Sequence, residues 1–563
     1  MSQNNDTGVI GLAVPATISY GVYAMLKSSG ADPIYLYASG GVALTCGALA
    51  LVKFVIETKH WIDLRRMLRA QGTYGTTRQL NDMTPEEIGL STCNKDGDGI
   101  VLGAQSGQRG VQQLWPKLLY YKGDSHGLFS AGTGGGKTSS LAIPIRLSLG
   151  AHRNAIITAK GDDMCVALYR YLTEILHQEV HCVDPYRLLE RHGIKSDDYN
   201  PCEGLVELAD YRSPDLIEKA RELVLTVLPE PSGTSDQNKL FRDNGREFLV
   251  WCLIYLAVEQ AETGHLCCNL AYLNRVLSDG TDEVLRFFVR MTSCQDFDGE
   301  IARAGKRFLG KFKSTAKTAE SFLTEAQTAL QPYVPVSRIG KSVEHSTFNA
   351  ADLKTKGKKM TIFIILPAEK SGVNDAYVGL CLNTLLTQAI QANSFEPRLT
   401  IIADEFEALS TGPLPIIERV LKIGRSRGVQ LLAFIQAKSG GLEAKYKELA
   451  PMFESQSAIH MLWDVRSVKE AEEYSKRAGQ RSIVTDSADA NRGSLTVKEE
   501  GIPQLRLDQV IQRPKFQAVL FKENNAPMIV DLVHHKAVSP WNSQVDVVPG
   551  APPEPDFKVR FKA

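Results

Sequence analysis

Ala131-Gly-Thr-Gly-Gly-Gly-Lys-Thr138 sits where an apolar strand-like run, Gly127 to Ser130, meets a helix-like run, Ser139 to Leu149. Glycines 132, 134, 135 and 136 let the backbone curl so that successive amides face inward, and the following helix offers the positive end of its dipole. This is the arrangement that cradles the β- and γ-phosphates of a nucleoside triphosphate, with Lys137 as a point charge and the Thr138 hydroxyl as a ligand for Mg²⁺. The nucleotide-contacting set is therefore Gly132, Thr133, Gly134, Gly135, Gly136, Lys137, Thr138 and Ser139. The first position of the pattern is Ala131 rather than Gly, which matters little because the amide nest is built by the residues after it.

A glycine-rich turn with an accidental Gly-Lys-Thr is the competing reading, and the partner motif downstream weighs against it. Leu399-Thr-Ile-Ile-Ala-Asp-Glu405 is an apolar run ending in two carboxylates. It reads as a buried strand whose C-terminal edge holds Asp404 toward Mg²⁺ and Glu405 toward the attacking water. Phosphate loop and strand-end carboxylates, in this chain order, predict hydrolysis of ATP or GTP.

The chain has 563 residues, 43% apolar and 23% charged, enough for two or three domains of ordinary globular composition. Its 64 basic residues balance 64 acidic ones, so global charge argues for no nucleic-acid partner, although a local basic channel stays compatible with it. The ten cysteines show neither zinc-type nor redox spacing, which predicts reduced thiols and no disulfide framework.

Two apolar stretches open the chain, Val9 to Leu26 and Ile34 to Ile56, each of the length that crosses a hydrocarbon core of about 30 Å. Only Lys27 to Pro33 separates them, and Lys59, Arg65, Arg66 and Arg69 follow. This predicts a transmembrane hairpin (residues 1–58) with both termini cytoplasmic. A signal peptide lacks its basic n-region here. Pro15, Thr17, Ser19 and Tyr20 weaken the first span, and a buried helical hairpin stays open as the alternative.

Residues 59–125 read as a membrane-proximal connector with short strands at Gly99 to Leu102 and Lys117 to Tyr121. Further strands are expected at 155–158, 179–183, 361–366, 399–403, 429–435, 458–462 and 516–521. They alternate with helical patterns, which predicts an α/β nucleotide-binding domain with a mostly parallel sheet, in two parts (126–212 and 346–537). Between them, 213–345 carries no strand pattern, and Leu216, Ile217, Ala220, Leu223, Val224 and Val227 follow Ser213-Pro214 at helical spacing. An all-α insertion is expected there. Its basic run, Arg303, Lys306, Arg307, Lys311, Lys313 and Lys317, reads first as a solvated face and second as a contact for DNA or another acidic substrate. The segment 538–563, with Pro540, Pro549, Pro552, Pro553 and Pro555, is expected to be a disordered tail. His534-His535 has no further ligand at metal spacing.

Taken together, His126 to Thr138, Ile156-Ile-Thr-Ala-Lys-Gly-Asp162, Val183-Asp-Pro185, Tyr199-Asn-Pro201, Ile402 to Leu409 and Gly424-Arg-Ser-Arg-Gly-Val-Gln-Leu-Leu-Ala-Phe-Ile-Gln436 resemble the type IV secretion coupling proteins, the TraG- and TraD-like ATPases of bacterial conjugation. The resemblance runs over residues 10 to 535. It implies a RecA-like P-loop NTPase using ATP and Mg²⁺, anchored as a multi-pass protein in the bacterial inner membrane and its lipid, and assembled as a homohexamer. It implies a relaxase bound to single-stranded DNA as substrate, type IV secretion channel components as partners, and an all-α domain that helps to select substrates. Arg425 stands where the family places an arginine finger reaching a neighbour's nucleotide, and Gln436 where it places a γ-phosphate sensor. With Lys137 and Glu405 these form the catalytic set, while Thr138 and Asp404 hold the metal. Arg427 has the same chemistry as Arg425 and stays an alternative finger, and a plain salt-bridge role stays open for either. Asp184 is left without a role. Many members carry a long acidic C-terminal tail, and this sequence shows none. A secretion receptor for protein effectors only, a docking scaffold with an idle ATPase, and a double-stranded DNA pump are the remaining functional readings.

Overall fold

The structure, a computed structural model, describes residues 83–106, 117–229, 236–314, 316–370, 372, 374–410, 412–489, 494–548 and 561–562, with residue 80 and scattered residues between 20 and 59. Its centre is an 11-stranded sheet. The strands are β1 (Ile100–Gln105), β2 (Leu118–Tyr121), β3 (His126–Ala131), β4 (Asn154–Lys160), β5 (Glu179–Val183), β6 (Met360–Leu366), β7 (Leu399–Ala403), β8 (Val429–Ile435), β9 (Ser457–Trp463), β12 (Gln517–Lys522) and β13 (Met528–Asp531). Two others, β10 (Gln480–Asp489) and β11 (Ser494–Pro503), pair only with each other as an antiparallel ribbon.

The sheet order is β2-β1-β13-β12-β9-β3-β8-β7-β4-β6-β5. From β9 to β5 every pairing is parallel, and from β12 to β2 every pairing is antiparallel. Parallel strands are covered on both faces and so read as continuous apolar runs: Met360–Leu366, Leu399–Ala403 and Val429–Ile435 are buried at every residue. Strand alternation then splits these runs between two cores. Ile156, Ile362, Ile364 and Ile401 face one, Ala155, Ile157, Phe363 and Ile402 the other.

The first core is closed by helices that succeed one another between β5 and β6 with no strand among the described residues: Glu203–Asp210, Asp215–Val227, Asp236–Thr263, Leu270–Ser278, Thr281–Ser293, Glu300–Ser314 and Ala316–Leu330. The backbone amide of Asp215 donates to Ser213 Oγ (3.3 Å), which marks the helix start at Ser213-Pro214. Asn269 caps the helix Leu270–Ser278 by accepting from the Tyr272 amide (2.7 Å). Phe248 meets Phe288, Phe308 and Phe322 at centroid distances of 5.3 to 5.6 Å, a buried aromatic cluster that ties three of these helices to Asp236–Thr263.

Three expectations change. The strands of the 59–125 connector belong to the main sheet, because β1 adds its edge to β13 and carries β2 with it. Residues 538–548, expected to begin a disordered tail, pack against the body: Trp541 and Val545 are buried, and Arg170 pairs with Asp546 (2.7 Å). The proline-rich stretch 549–560 lies outside the described residues. Finally, one helix among the described residues, Ser39–Ile56, is long and apolar enough to cross a membrane, with a mean hydropathy of 1.8, whereas most of the first expected span lies outside them. The two-helix hairpin is therefore not seen as such.

Candidate functional site: a phosphate loop with converging carboxylates

β3 is buried along its whole length and delivers the chain to the loop at Ala131. Gly134 and Gly136 take φ of 79° and 76°, left-handed conformations that a side chain would strain, and they give the loop its curl. A wide π turn, Thr138–Ala142, then runs into the helix Ile143–Ser148. Lys137 is buried, and its Nζ donates to the Ala131 carbonyl (2.9 Å), so the ammonium lies across the loop it serves.

β7 lies one strand beyond β8 from β3 and brings its carboxylates to the same edge. The Thr138 hydroxyl donates to Asp404 Oδ2 (3.1 Å). Burial pushes the Asp404 carboxyl up, opposed by the Thr138 hydrogen bond and the Lys137 charge. A hydroxyl and a carboxylate converging beside a phosphate loop are hard oxygen donors, the set that fits Mg²⁺ completed by phosphate and water oxygens. Among the described residues no cluster of three or more His, Cys, Asp or Glu offers an alternative metal cage.

Glu405 stands next to it in a left-handed conformation (φ 48°) that turns its side chain away from the strand. Its Oε2 pairs with Lys160 Nζ (2.8 Å) and its Oε1 accepts from Gln436 Nε2 (2.7 Å). Burial raises this carboxyl, but the Lys160 ammonium and the Gln436 hydrogen bond outweigh it and hold Glu405 below the usual range. Gln436, at the end of β8, also accepts from the Thr133 hydroxyl (3.3 Å), so it bridges loop and carboxylate. Its backbone amide donates to Glu407 (2.6 Å).

Lys137, Thr138, Asp404, Glu405 and Gln436 are thus brought together, and Arg425 is not. Arg425 is exposed in the turn before β8, at the opposite edge of the sheet, and β8 alone separates it from Gln436 by roughly 20 Å at ~3.3 Å per residue. There it lines a cleft of about 760 Å³ with Ser125, His126, Glu454 and Arg477. Arg427 shares the turn and is half-buried. Asp184 is buried and accepts from the Leu189 amide and the Ser196 hydroxyl (3.0 Å each), a turn-closing role. In the basic run, Arg303 pairs with Glu300 (2.6 Å), Arg307 with Glu247 (3.1 Å), and Lys311 donates to Asn244 (2.9 Å), while the side chains of Lys313 and Lys317 lie outside the described residues.

Several site residues escaped the sequence. Lys160 ends β4, and only the β4–β7 pairing places it beside Glu405. Trp463 ends β9, buried, with its indole N–H donating to the Gly135 carbonyl (2.7 Å), and Arg466 donates to the Thr133 carbonyl (3.2 Å). His535 Nδ1 lies 2.9 Å from the Ser139 carbonyl, which gives the histidine pair a packing role at the helix start. The signals were present as a lysine at a strand end and a tryptophan closing an apolar run, but neither has meaning without strand order.

The family model for type IV secretory system conjugative DNA transfer matches residues 84–535. Among curated proteins, the chain is similar to a type IV secretion system-coupling protein VirD4 of Bartonella henselae, 23% identical over 397 residues that cover 68% of this chain and 57% of the relative. It is similar also to the conjugal transfer protein TraG of Agrobacterium fabrum, 22% identical over 531 residues, 90% of this chain and 74% of the relative. The match thus spans little more than half the length of the Bartonella protein. Among solved structures, the unbound bacterial conjugative coupling protein TrwB has the same fold, with a TM-score of 0.55 at 16% identity over 73% of this chain and 85% of that one. TrwB in complex with ADP and Mg²⁺ gives a TM-score of 0.53 at 15% identity over the same shares. With the family model covering most of its length, the chain belongs to the conjugative DNA transfer family of the type IV secretory system.

Proposed function

We propose that this protein is an ATP-hydrolysing coupling protein that receives a relaxase bound to single-stranded DNA and drives it toward a type IV secretion channel. In this reading the N-terminal hairpin (1–58) holds it in the inner-membrane lipid, the all-α domain (213–345) helps to select substrate, and the nucleotide-binding parts (126–212 and 346–537) assemble as a homohexamer. The observation that carries it is the convergence of Thr138, Asp404, Glu405 and Gln436 on one phosphate loop.

The geometry supports the following roles. Loop amides 132–138 and Lys137 bind the phosphates, and Ser139 at the helix start adds its hydroxyl. Thr138 and Asp404 would hold Mg²⁺, which would supply neutralising charge to the phosphates. Glu405, kept ionised by Lys160, orients the attacking water, and Gln436 couples that carboxylate to Thr133 and so to the γ-phosphate position. The strand-length distance of Arg425 from its own loop supports a finger that serves a neighbouring subunit, where its guanidinium would stabilise charge on the transferred phosphoryl group.

The test is ATP hydrolysis by the full chain with and without single-stranded DNA, beside Lys137→Ala and Arg425→Ala. Stimulation by DNA that is lost in both variants, with Arg425→Ala still binding nucleotide, is the expected result. Activity indifferent to DNA points to a receptor for protein effectors, and inactivity in every assembled form to a docking scaffold.

A further inference from the structure

We propose that Phe516 is the platform on which the base of the bound nucleotide stacks; this rests on the nucleotide reading above and deepens it. The sheet order provides the first argument. Around the loop at the end of β3, the carboxylates and Gln436 lie on the β8–β7 side, and β9 and β12 lie on the other. With Asp404, Glu405 and Gln436 marking the γ-phosphate end, a nucleotide lying across the loop directs its base toward β9 and β12. β12 runs antiparallel to β9 with Val519 opposite Leu462, so the residue that enters β12 arrives at the same edge as the loop. That residue is Phe516.

The contacts agree. A Cβ on Gly136 would stand 3.2 Å from Phe516 Cε1 and 3.8 Å from Ser139 Oγ, so the ring abuts the loop where it becomes helix. Phe516 is nevertheless 41% exposed, a large apolar ring held open to solvent beside a phosphate site. Its backbone is fixed: the Phe516 carbonyl accepts from the Leu532 amide (2.7 Å), and the Gln517 amide donates to the Pro514 carbonyl (2.9 Å). Lys515 Nζ lies 5.8 Å from the ring centroid. An aromatic face stacks on any base, so the platform distinguishes a nucleotide from a bare polyphosphate without choosing between adenine and guanine.

The experiment measures affinities of the full chain for ATP and for inorganic tripolyphosphate, each with Mg²⁺, in the unmodified protein, Phe516→Ala, Phe516→Trp and Lys137→Ala. Stacking predicts that Phe516→Ala weakens ATP by about tenfold and leaves tripolyphosphate unchanged, while Phe516→Trp keeps ATP affinity. Equal losses for both ligands would mean that the ring only shapes the loop. No loss in Phe516→Ala, with ATP binding abolished in Lys137→Ala, overturns this inference alone, and an unmodified chain that binds no ATP overturns it together with the nucleotide reading.

Discussion

Lys160 has no place in the phosphate-loop pattern, yet it decides the charge of Glu405. The carboxylate is half-buried, a setting that by itself favours the protonated form, and the ammonium at 2.8 Å reverses that preference. Removing the cation as Lys160→Met leaves burial opposed only by the Gln436 hydrogen bond and the Lys137 charge, so the Glu405 pKa rises. Protonated Glu405 does not orient water, and the acid limb of the hydrolysis profile is expected to move to higher pH while the alkaline limb stays. A pH–kcat profile checks this, and an unmoved acid limb would show that Lys160 does not set that ionisation. Trp463 works on the other flank, where its indole N–H fixes the Gly135 carbonyl. Trp463→Phe keeps the packing and deletes the hydrogen bond, leaving a buried acceptor, and is expected to lower stability by ~1 kcal/mol and to weaken ATP binding. Denaturant unfolding and nucleotide titration together read both effects.

At the scale of elements, β3 joins two chemically different ends: a loop for phosphate at Ala131 and a buried histidine at His126. The His126 Nδ1 accepts from the Leu431 amide of β8 (3.0 Å), and burial holds this imidazole neutral down to about 4. His460 on β9, buried and beside Arg477, is likewise lowered to about 4. An unfolded histidine takes up its proton near 6.5, so the native state binds fewer protons than the unfolded one between about 6.5 and 4, and stability falls as pH falls through that window. The loss amounts to roughly 3 kcal/mol per histidine at the acid end. Urea unfolding at pH 7 and pH 5 should show a lower midpoint at pH 5, and His460→Gln should cut the difference by about half, the rest belonging to His126. The same strands explain what could be read in advance. Leu399–Ala403 and Val429–Ile435 announce themselves because a buried parallel strand must be apolar throughout. β1, β2 and β13 were harder: short antiparallel strands at a sheet edge look like connectors until a partner is known. Asp404 and Glu405 were legible because their strand and the loop each carry a local pattern, whereas Lys160, Trp463 and Phe516 become site residues only through strand adjacency.

For the whole molecule, the decisive geometry is the length of the parallel strands. The phosphate loop occupies the C-terminal edge of the parallel strands, and Arg425, in the turn before β8, occupies the N-terminal edge beside His126 and Glu454. No rotamer of one arginine covers the ~20 Å between them, since an extended side chain reaches about a third of that. If Arg425 serves hydrolysis, it serves it from another copy, and the two edges of one chain are halves of two different sites. This makes complementation possible. A chain with Lys137→Ala has a defective loop and an intact arginine, and a chain with Arg425→Ala has the reverse, so each is expected to be inactive as a pure assembly. In a mixture, some loops with intact Lys137 face an intact Arg425 on a neighbour, and ATP hydrolysis should reappear. An Arg427→Ala chain mixed in the same way separates the two arginines, because only the true finger needs a donor from outside. Mixed assemblies that stay silent while Arg425→Ala still assembles would show that Arg425 does not act on a neighbour's nucleotide.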